Sequence, residues 1–221
     1  MPAIIFDFDG VIVDTEPLHE AALLRCATER GMSFTHEQYM TRLIGLADRD
    51  CLPVLFALNS KTPSPAEHSA FFTQKKRLVH EMIERGEAKA FPGTLELIYA
   101  AATAAIPMFV CSGAIRPEIE MVLRSLDIAH SFRAIVSADE VKHSKPNPEG
   151  YLKAASAAGE HPSRCVALED TPTGSRAALA AGMRVIAVGH SLPRSAFPKE
   201  IADFAESTSE LSLSRVMESV Q

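Results

Sequence analysis

The sequence predicts an α/β protein whose parallel sheet is interrupted after its first strand by a helical domain. Short apolar runs recur along most of the chain, and each is followed by a polar or glycine-containing turn and then by a helical pattern. The long stretch after the first run breaks this rhythm. Because strands that alternate with helices form parallel sheets joined by crossover helices, the pattern indicates one α/β core that carries a helical insertion.

Five apolar runs have the length and composition of buried strands. They are Ala3–Phe8, Ile106–Cys111, the weaker Phe132–Val136, Cys165–Leu168 and Arg184–Val188.

The insertion contains no convincing strand. Leu18–Arg30 and Ala66–Arg85 carry apolar residues at helical spacing, and Gly31 and Gly86 follow them as helix-ending residues. We therefore expect a core domain formed by residues 1–14 and 91–221 and a helical domain formed by residues 15–90.

Composition excludes several classes of protein. The 221 residues carry a net charge of −6, and the basic residues are scattered, which argues against a nucleic-acid surface. The sequence shows neither a signal peptide nor the run of about 20 apolar residues that a membrane span needs. The four cysteines lack metal-binding spacing, so we expect reduced thiols. We expect a cytoplasmic monomer that binds neither nucleic acid nor membrane.

Polar residues stand where the predicted strands end. Asp7 and Asp9 follow the first strand, Ser112-Gly113 follows the second, and Glu169-Asp170 follows the fourth. Lys145 lies in the segment between the third and fourth strands. Because ligands of open α/β sheets bind outside the carboxyl ends of the strands, these residues are expected to converge at one edge.

Converging carboxylates repel one another unless a cation holds them. Oxygen ligands without histidine or cysteine favour Mg²⁺, which carboxylates and substrate phosphate commonly hold together. One of Asp7 and Asp9 can then act as nucleophile and the other as general acid and base. Ser112, the Gly113 amide and Lys145 would bind phosphoryl oxygens. The alternatives are that the acids are only turn residues, that Ser112 and Asp170 only cap helices, and that Lys145 is a surface lysine.

Four segments in this order resemble the motifs of the haloacid dehalogenase superfamily, in its subfamily with a helical cap after the first strand and its β-phosphoglucomutase and sugar-phosphatase branch. They are Asp7–Asp14, Val110–Gly113, Ser144–Pro148, and Glu169–Gly174 with Ala180–Met183. The resemblance covers nearly the whole chain and implies a Rossmann-like parallel sheet with a cap.

The resemblance also implies specific roles. Asp7 would form an aspartyl-phosphate, and Asp9 would protonate the leaving oxygen and then activate water. Asp7, the backbone carbonyl of Asp9 and Asp170 would hold Mg²⁺, with Glu169 bound through water or supporting the ligands. Dehalogenases of the family lack an acid at the position of Asp9, so its presence favours phosphate chemistry.

Two positions depart from the family pattern. Glu149 stands where the third motif ends in aspartate, and we expect this exchange to be harmless because either acid suits a helix start. Arg116 matches only in part the residues that help mutases hold a second phosphate, which puts mutase activity in doubt.

Two residues of the insertion resemble substrate-binding positions. Arg49 stands where the mutases place an arginine on the non-reacting phosphate, a task that suits the guanidinium fork. His19 resembles a mutase active-site position. The alternative for Arg49 is a solvated helix-start cation, and for His19 a packing residue of an amphipathic helix.

The sequence thus predicts a Mg²⁺-dependent phosphatase that acts on a small phosphorylated metabolite, such as a sugar phosphate. Two further hypotheses remain open at this point: a β-phosphoglucomutase-like phosphomutase, and a non-catalytic protein that binds a metabolite on the same fold. The retention of Asp7, Asp9, Lys145 and Asp170 argues against the last.

Overall fold

The structure, a computed structural model, describes residues 2–44, 46 and 48–219, without the side chains of Asp48 and Arg49. The chain divides into two compact units, one formed by residues 1–14 and 88–221 and the other by residues 15–87. The first unit is an α/β core and the second is helical, so the predicted fold class is confirmed.

The core unit is built on a six-stranded parallel sheet. In chain order its strands are β1 (Ala3–Phe6), β4 (Met108–Cys111), β5 (Ala134–Val136), β6 (Cys165–Glu169), β7 (Arg184–Val188) and β8 (Asp203–Ala205), and a separate ribbon contains β2 (Val13–Asp14) and β3 (Lys89–Ala90). The spatial order of the sheet is β5-β4-β1-β6-β7-β8. All four residues of β1 are buried, and the strand pairs with β4 on one side and with β6 on the other.

Two parts of the strand prediction were wrong. The insertion was expected to contain no strand, yet Lys89 and Ala90 pair antiparallel with Asp14 and Val13. The sixth strand, β8, was not predicted because only three residues form it and two of them are half-buried. Its only two apolar residues, Phe204 and Ala205, are too few to form an apolar run.

The helices of the core unit connect the strands. They are α5 (Thr94–Thr103), α6 (Arg116–Ser125), α7 (Glu149–Ala158), α8 (Pro172–Ala180) and α9 (Leu213–Glu218), with 3-10 turns at Ala129–Ser131, Ala138–Glu140, Pro162–Arg164, Arg194–Ala196 and Thr208–Glu210. Helix α7 packs on β1, β4 and β5, and α8 packs on β6 and β7. Alternate residues of the strands, among them Ile5 and Ala167, form a buried cluster with these helices, as the alternation of side chains in strands requires.

The second unit contains α1 (Glu16–Thr28), α2 (His36–Gln38), α3 (Asp48–Leu58) and α4 (Pro65–Glu84), with a π-helical turn at Tyr39–Leu43. Helix α1 packs against α4, the longest of these helices. Ser64 and Glu67 form a capping box at the start of α4, and Gly86, at φ +72°, follows its end as predicted.

Two further observations concern the cysteines and the lengths of the helices. All four cysteines are buried and free of disulfides. Among the helices in the described ranges, none has both the length and the apolar character that crossing a membrane would require.

Candidate active site

The candidate site lies at the carboxyl end of the central strands of the core unit. Phe6, the last residue of β1, is in register with Val110 of β4 and Leu168 of β6. The Asp7 amide then donates to the Leu168 carbonyl at 2.9 Å. This pairing places Asp7 beside the end of β6, where Glu169 and Asp170 follow.

The carboxylates of Asp7, Glu169 and Asp170 converge as the sequence predicted. One oxygen from each lies within 4.8 Å of the others, and all three residues are buried. Lys145 reaches the same point, with Nζ 2.9 Å from Oδ2 of Asp7 and 2.7 Å from Oε1 of Glu169. Two of the three buried acids, Asp7 and Glu169, therefore pair with one half-buried cation.

Glu169 is the most enclosed of the three acids, with 0% of its surface exposed. Its Oε1 accepts from Lys145 and from the Tyr151 hydroxyl at 2.6 Å, and its Oε2 accepts from the Thr171 hydroxyl at 3.0 Å. Burial raises the pKa of a carboxyl group, but Lys145 and the hydroxyl donors outweigh burial here and lower the pKa of Glu169. Glu169 is therefore ionised and serves as the fixed counter-ion of Lys145.

Asp7 is held in a different electrostatic balance. Burial raises its pKa well above the usual range, the Glu169 carboxylate raises it further, and Lys145 opposes both. The Phe8 amide donates to Oδ1 at 2.7 Å, while Oδ2 pairs with Lys145. Burial alone would lower the pKa of Lys145, but Asp7 and Glu169 raise it, so this lysine remains protonated.

The two carboxylate oxygens of Asp170 differ in their contacts. The Ser191 hydroxyl donates to Oδ2, whereas Oδ1 is buried and lacks a hydrogen-bond partner within the part of the chain that the structure describes. Burial raises the pKa of Asp170 to about 6. Buried oxygens of this kind normally have a partner, and a hard cation would supply one. The donor set, oxygen atoms with a buried unpartnered carboxylate among them, therefore fits a divalent metal ion such as Mg²⁺.

The chain turns at Gly10, next to the Asp170 carboxylate. Its φ is +79°, and a Cβ atom there would overlap the Asp170 carboxylate, so both the conformation and the space require glycine. Asp9, which precedes it, is exposed, whereas Asp7 is buried. The two aspartates therefore meet different surroundings, as expected from a chain that leaves the sheet at this point.

Ser112 and Gly113 follow β4, the neighbouring strand. The Ser112 amide donates to the Val136 carbonyl at 2.9 Å, and its hydroxyl oxygen accepts from the Ala114 amide at 2.9 Å. Ser112 is 7% exposed. The hydroxyl proton is not used by the Ala114 amide, so it is available for donation to an oxygen atom outside the loop.

Glu149 departs from the family pattern, and it stabilises the loop that carries Lys145. It is the first residue of α7, and its carboxylate accepts from the Lys142 amide at 3.0 Å and from the His143 amide at 3.1 Å. The Lys142 amide, followed by the Lys153 side chain and the His143 amide, lowers the pKa of Glu149 to about 2. The longer acid therefore performs a helix-start and loop-bonding role at this position.

Arg116 is engaged by neighbours in the core. Its guanidinium lies 2.7 Å from both carboxylate oxygens of Glu140 and donates to the Ile135 carbonyl at 2.7 Å. A role in binding a second phosphate stays a prediction, and it would require Arg116 to exchange these partners. His19 lies in α1 of the helical unit. The side chain of Arg49 lies outside the described residues.

Sequence reasoning missed several residues that surround the acids. Tyr151 and Thr171 hydrogen-bond to Glu169, Ser191 hydrogen-bonds to Asp170, and His190 contacts the Gly10 carbonyl. Thr171 lies within the fourth motif. Its side chain accepts a hydrogen bond from the Gly174 amide, which is typical of a residue that caps a helix. Tyr151 has the spacing of an ordinary buried helix residue, so its polar contact could not be read from the pattern.

The fold and site define an enzyme class in which carboxylates and a lysine gather at the carboxyl edge of a parallel sheet, with a helical unit inserted after the first strand. The sequence profile of the haloacid dehalogenase-like hydrolases matches residues 4–188, and the chain belongs to that family.

Several proteins with named activities are similar to this chain. The phosphorylated carbohydrates phosphatase of Thermotoga maritima is 34% identical over 87% of each chain. The fructose-1-phosphate phosphatase YqaB of Escherichia coli is 33% identical over 84% of this chain and 95% of its own length. A crystal structure of β-phosphoglucomutase from Clostridium difficile superposes with a TM-score of 0.78 at 25% identity, covering 100% of this chain and 97% of the other.

Proposed function

We propose that this protein is a Mg²⁺-dependent phosphatase that hydrolyses a small sugar phosphate through an aspartyl-phosphate at Asp7. The observation that carries the proposal is the buried group of Asp7, Glu169, Asp170 and Lys145, in which Asp170 retains an unpartnered oxygen among the described residues. The relatives named as carbohydrate and fructose-1-phosphate phosphatases support the substrate class.

Asp7 is the nucleophile in this proposal. Lys145 and the Phe8 amide fix its carboxylate through one contact on each oxygen. A carboxylate held in one orientation loses little freedom when it attacks phosphorus, which is the main contribution of positioning to catalysis. Lys145 is protonated and lies against Asp7, so it also stabilises charge on a phosphoryl group bound there.

Asp9 supplies the proton chemistry. Asp9 is exposed, so its carboxyl group can exchange protons with solvent. Asp7 is buried, which suits the nucleophilic role. An ester oxygen needs a proton to leave, and the water that later attacks the aspartyl-phosphate must lose one. One carboxyl group at Asp9 serves both steps in turn.

Asp7, Asp170 and the backbone carbonyl of Asp9 are the groups we propose to hold Mg²⁺. When bound, the ion supplies neutralisation of phosphate charge. Ser112 and the Gly113 amide complete the phosphate-binding group by donating to phosphoryl oxygens. Recognition of the rest of the substrate by Arg49 and His19 stays a prediction from the sequence.

The test measures phosphate release from a panel of sugar phosphates, with Mg²⁺ and with EDTA. Asp7→Asn should lower kcat at least about a thousandfold. Asp127→Asn is the matched control, because Asp127 is exposed and its φ of +56° suits asparagine. Acid-quenched wild-type protein should retain phosphate on Asp7, and Asp170→Asn should lose the thermal stabilisation that Mg²⁺ gives the wild type. Unchanged turnover by Asp7→Asn would refute the proposal.

The similarity to β-phosphoglucomutase favours a phosphomutase as the second candidate. It predicts conversion of a hexose 1-phosphate to the 6-phosphate when a hexose bisphosphate primes the enzyme. The absence of isomerised product would exclude it. Tight metabolite binding without turnover of any phosphate ester would instead support a non-catalytic binding protein.

A further inference from the structure

We propose that His190 is a positioning residue that holds the turn carrying Asp9, a role that rests on the proposed function. His190 follows β7 and is 180 residues from Gly10 in sequence, yet its Nδ1 lies 2.8 Å from the Gly10 carbonyl oxygen. The contact joins a loop outside the four motifs to the loop that carries both aspartates.

The neighbours of His190 determine its tautomer. The Thr208 amide lies 3.1 Å from Nε2, and an amide N–H can only donate, so Nε2 must be the acceptor. In the neutral ring the proton is therefore on Nδ1, which donates to Gly10. One imidazole thus ties the 207–208 segment to the turn after β1.

The ring is also fixed in its plane. Phe91 stacks on His190 with ring centroids 3.9 Å apart and an interplanar angle of 13°. With a hydrogen bond at each nitrogen and an aromatic face against it, the imidazole has one orientation relative to Gly10. A donor held this rigidly fixes the carbonyl that it binds.

A second buried contact supports the same turn. The Thr94 hydroxyl oxygen lies 2.9 Å from the Val11 carbonyl oxygen and 2.9 Å from the Thr208 hydroxyl. Thr94 is 0% and Thr208 is 1% exposed. Thr208 thereby contacts both donors, His190 and Thr94, that hold the consecutive carbonyls of Gly10 and Val11.

The turn governs the geometry of catalysis because Asp9 immediately precedes Gly10. The Gly10 amide also donates to the Val13 carbonyl at 3.0 Å, so the turn is bonded on its inner side. Release of the Gly10 carbonyl would let the peptide plane rotate and displace Asp9 from the leaving oxygen. A displacement of about 1 Å costs about a hundredfold in rate.

Two variants separate the two nitrogens of the ring. In His190→Asn the amide nitrogen lies near the Nδ1 position, so the bond to Gly10 is kept and the Thr208 bond is lost. In His190→Gln the amide oxygen lies near the Nε2 position, so the Thr208 bond is kept and the Gly10 bond is lost. Both variants lose the stacking on Phe91. His190→Gln also loses the Gly10 bond, and His190→Asn loses the Thr208 bond together with the long 3.4 Å contact between Nε2 and the Ser207 hydroxyl, so their stabilities should be similar.

We expect His190→Gln to lower kcat at least about tenfold relative to His190→Asn, with KM changed less than about threefold, because only the first variant frees the turn. A purely structural role predicts equal kcat values at equal stability. Equal kcat values in the two folded variants would overturn the inference.

Nuclear magnetic resonance tests the inference without turnover and so separates it from the proposed function. The ¹⁵N spectrum of wild-type His190 should show a protonated Nδ1 and an unprotonated Nε2, and this measurement requires no variant. The ¹³C shift of the Gly10 carbonyl should move in His190→Gln and stay in His190→Asn. An Nε2–H tautomer, or an equal carbonyl shift in both variants, would overturn the inference even if the wild type proves inactive on every phosphate ester.

Discussion

Replacement of Glu169 by glutamine should destabilise the core unit by about 3–5 kcal/mol, the range measured when one partner of a buried ion pair is removed. The Lys145 Nζ lies 2.7 Å from Oε1 of Glu169. At an effective dielectric constant near 20, two unit charges at that distance attract by about 6 kcal/mol. Desolvation of both ions offsets part of this attraction in the wild type. In the variant, Lys145 keeps its own desolvation and retains only Asp7 as a partner.

Glutamine has nearly the volume of glutamate, so the destabilisation would come from charge and hydrogen bonding rather than from a cavity. Its amide group can accept on one side only, whereas Glu169 accepts from Lys145 and Tyr151 on one oxygen and from Thr171 on the other. The NH2 group of the glutamine would therefore face a protein group that also donates. An unsatisfied buried donor adds about 1–3 kcal/mol, which favours the upper part of the expected range.

Two controls calibrate the experiment. Tyr151→Phe removes one donor to Glu169 and leaves the charges, so it should lose about 1.5 kcal/mol. Glu120→Gln removes a half-exposed acid paired with Arg116 and Arg124, and it should change stability by less than about 0.5 kcal/mol.

Urea unfolding followed by far-UV circular dichroism suits this chain, which has no tryptophan. EDTA in the buffer separates ion pairing within the protein from metal binding. A Glu169→Gln protein within about 1 kcal/mol of the wild type would refute the conclusion that Glu169 is the ionised counter-ion of Lys145.

Two further predictions concern the turn at Gly10 and an ion pair of the last strand. Gly10→Ala should lose its activity and at least about 3 kcal/mol of stability in the urea assay. Gly159 has a similar φ and open space around it, so Gly159→Ala should lose only about 1–2 kcal/mol. Equal losses would show that overlap with Asp170 contributes nothing. Arg215 donates to both oxygens of Asp203 and lowers its pKa, so this stabilisation is complete above the unfolded pKa near 4 and is lost as pH falls through the lower folded pKa. The stability difference between wild type and Asp203→Asn should be about 1 kcal/mol at pH 7 and shrink below about pH 4, and a constant difference would contradict the reasoning.

Four of the five strands that the sequence predicted pair with a neighbour on both sides, and the fifth, β5, lies at an edge of the sheet. β1, β4, β6 and β7 are nearly continuous apolar runs, because a parallel strand covered on both faces has no polar positions. β8 pairs on one side only, and β2 and β3 contain two residues each. These elements depend on pairing across the fold, and no local pattern specifies such pairing.

The residues of the site also fall into a predictable and an unpredictable group. The acids were predictable because they follow strands within motifs, and Lys145 because it lies within a motif between two strands. The contacts of Tyr151 with Glu169 and of His190 with Gly10 join residues that are 18 and 180 positions apart. Neither residue type nor spacing marks such contacts, since a buried tyrosine and a histidine after a strand are common in any core.

The ribbon of β2 and β3 brings Asp14 and Lys89 into register as neighbours. The chain leaves the core unit after Asp14 and returns to it at Lys89, so the segment between them is topologically one long loop that closes at this pair. The entropy of closing a loop rises only with the logarithm of its length, so the core is almost indifferent to the size of what it carries there. Changes in the length of the segment 15–87 should therefore alter the stability of the core little, so the acids at the strand ends can stay in place while this segment varies.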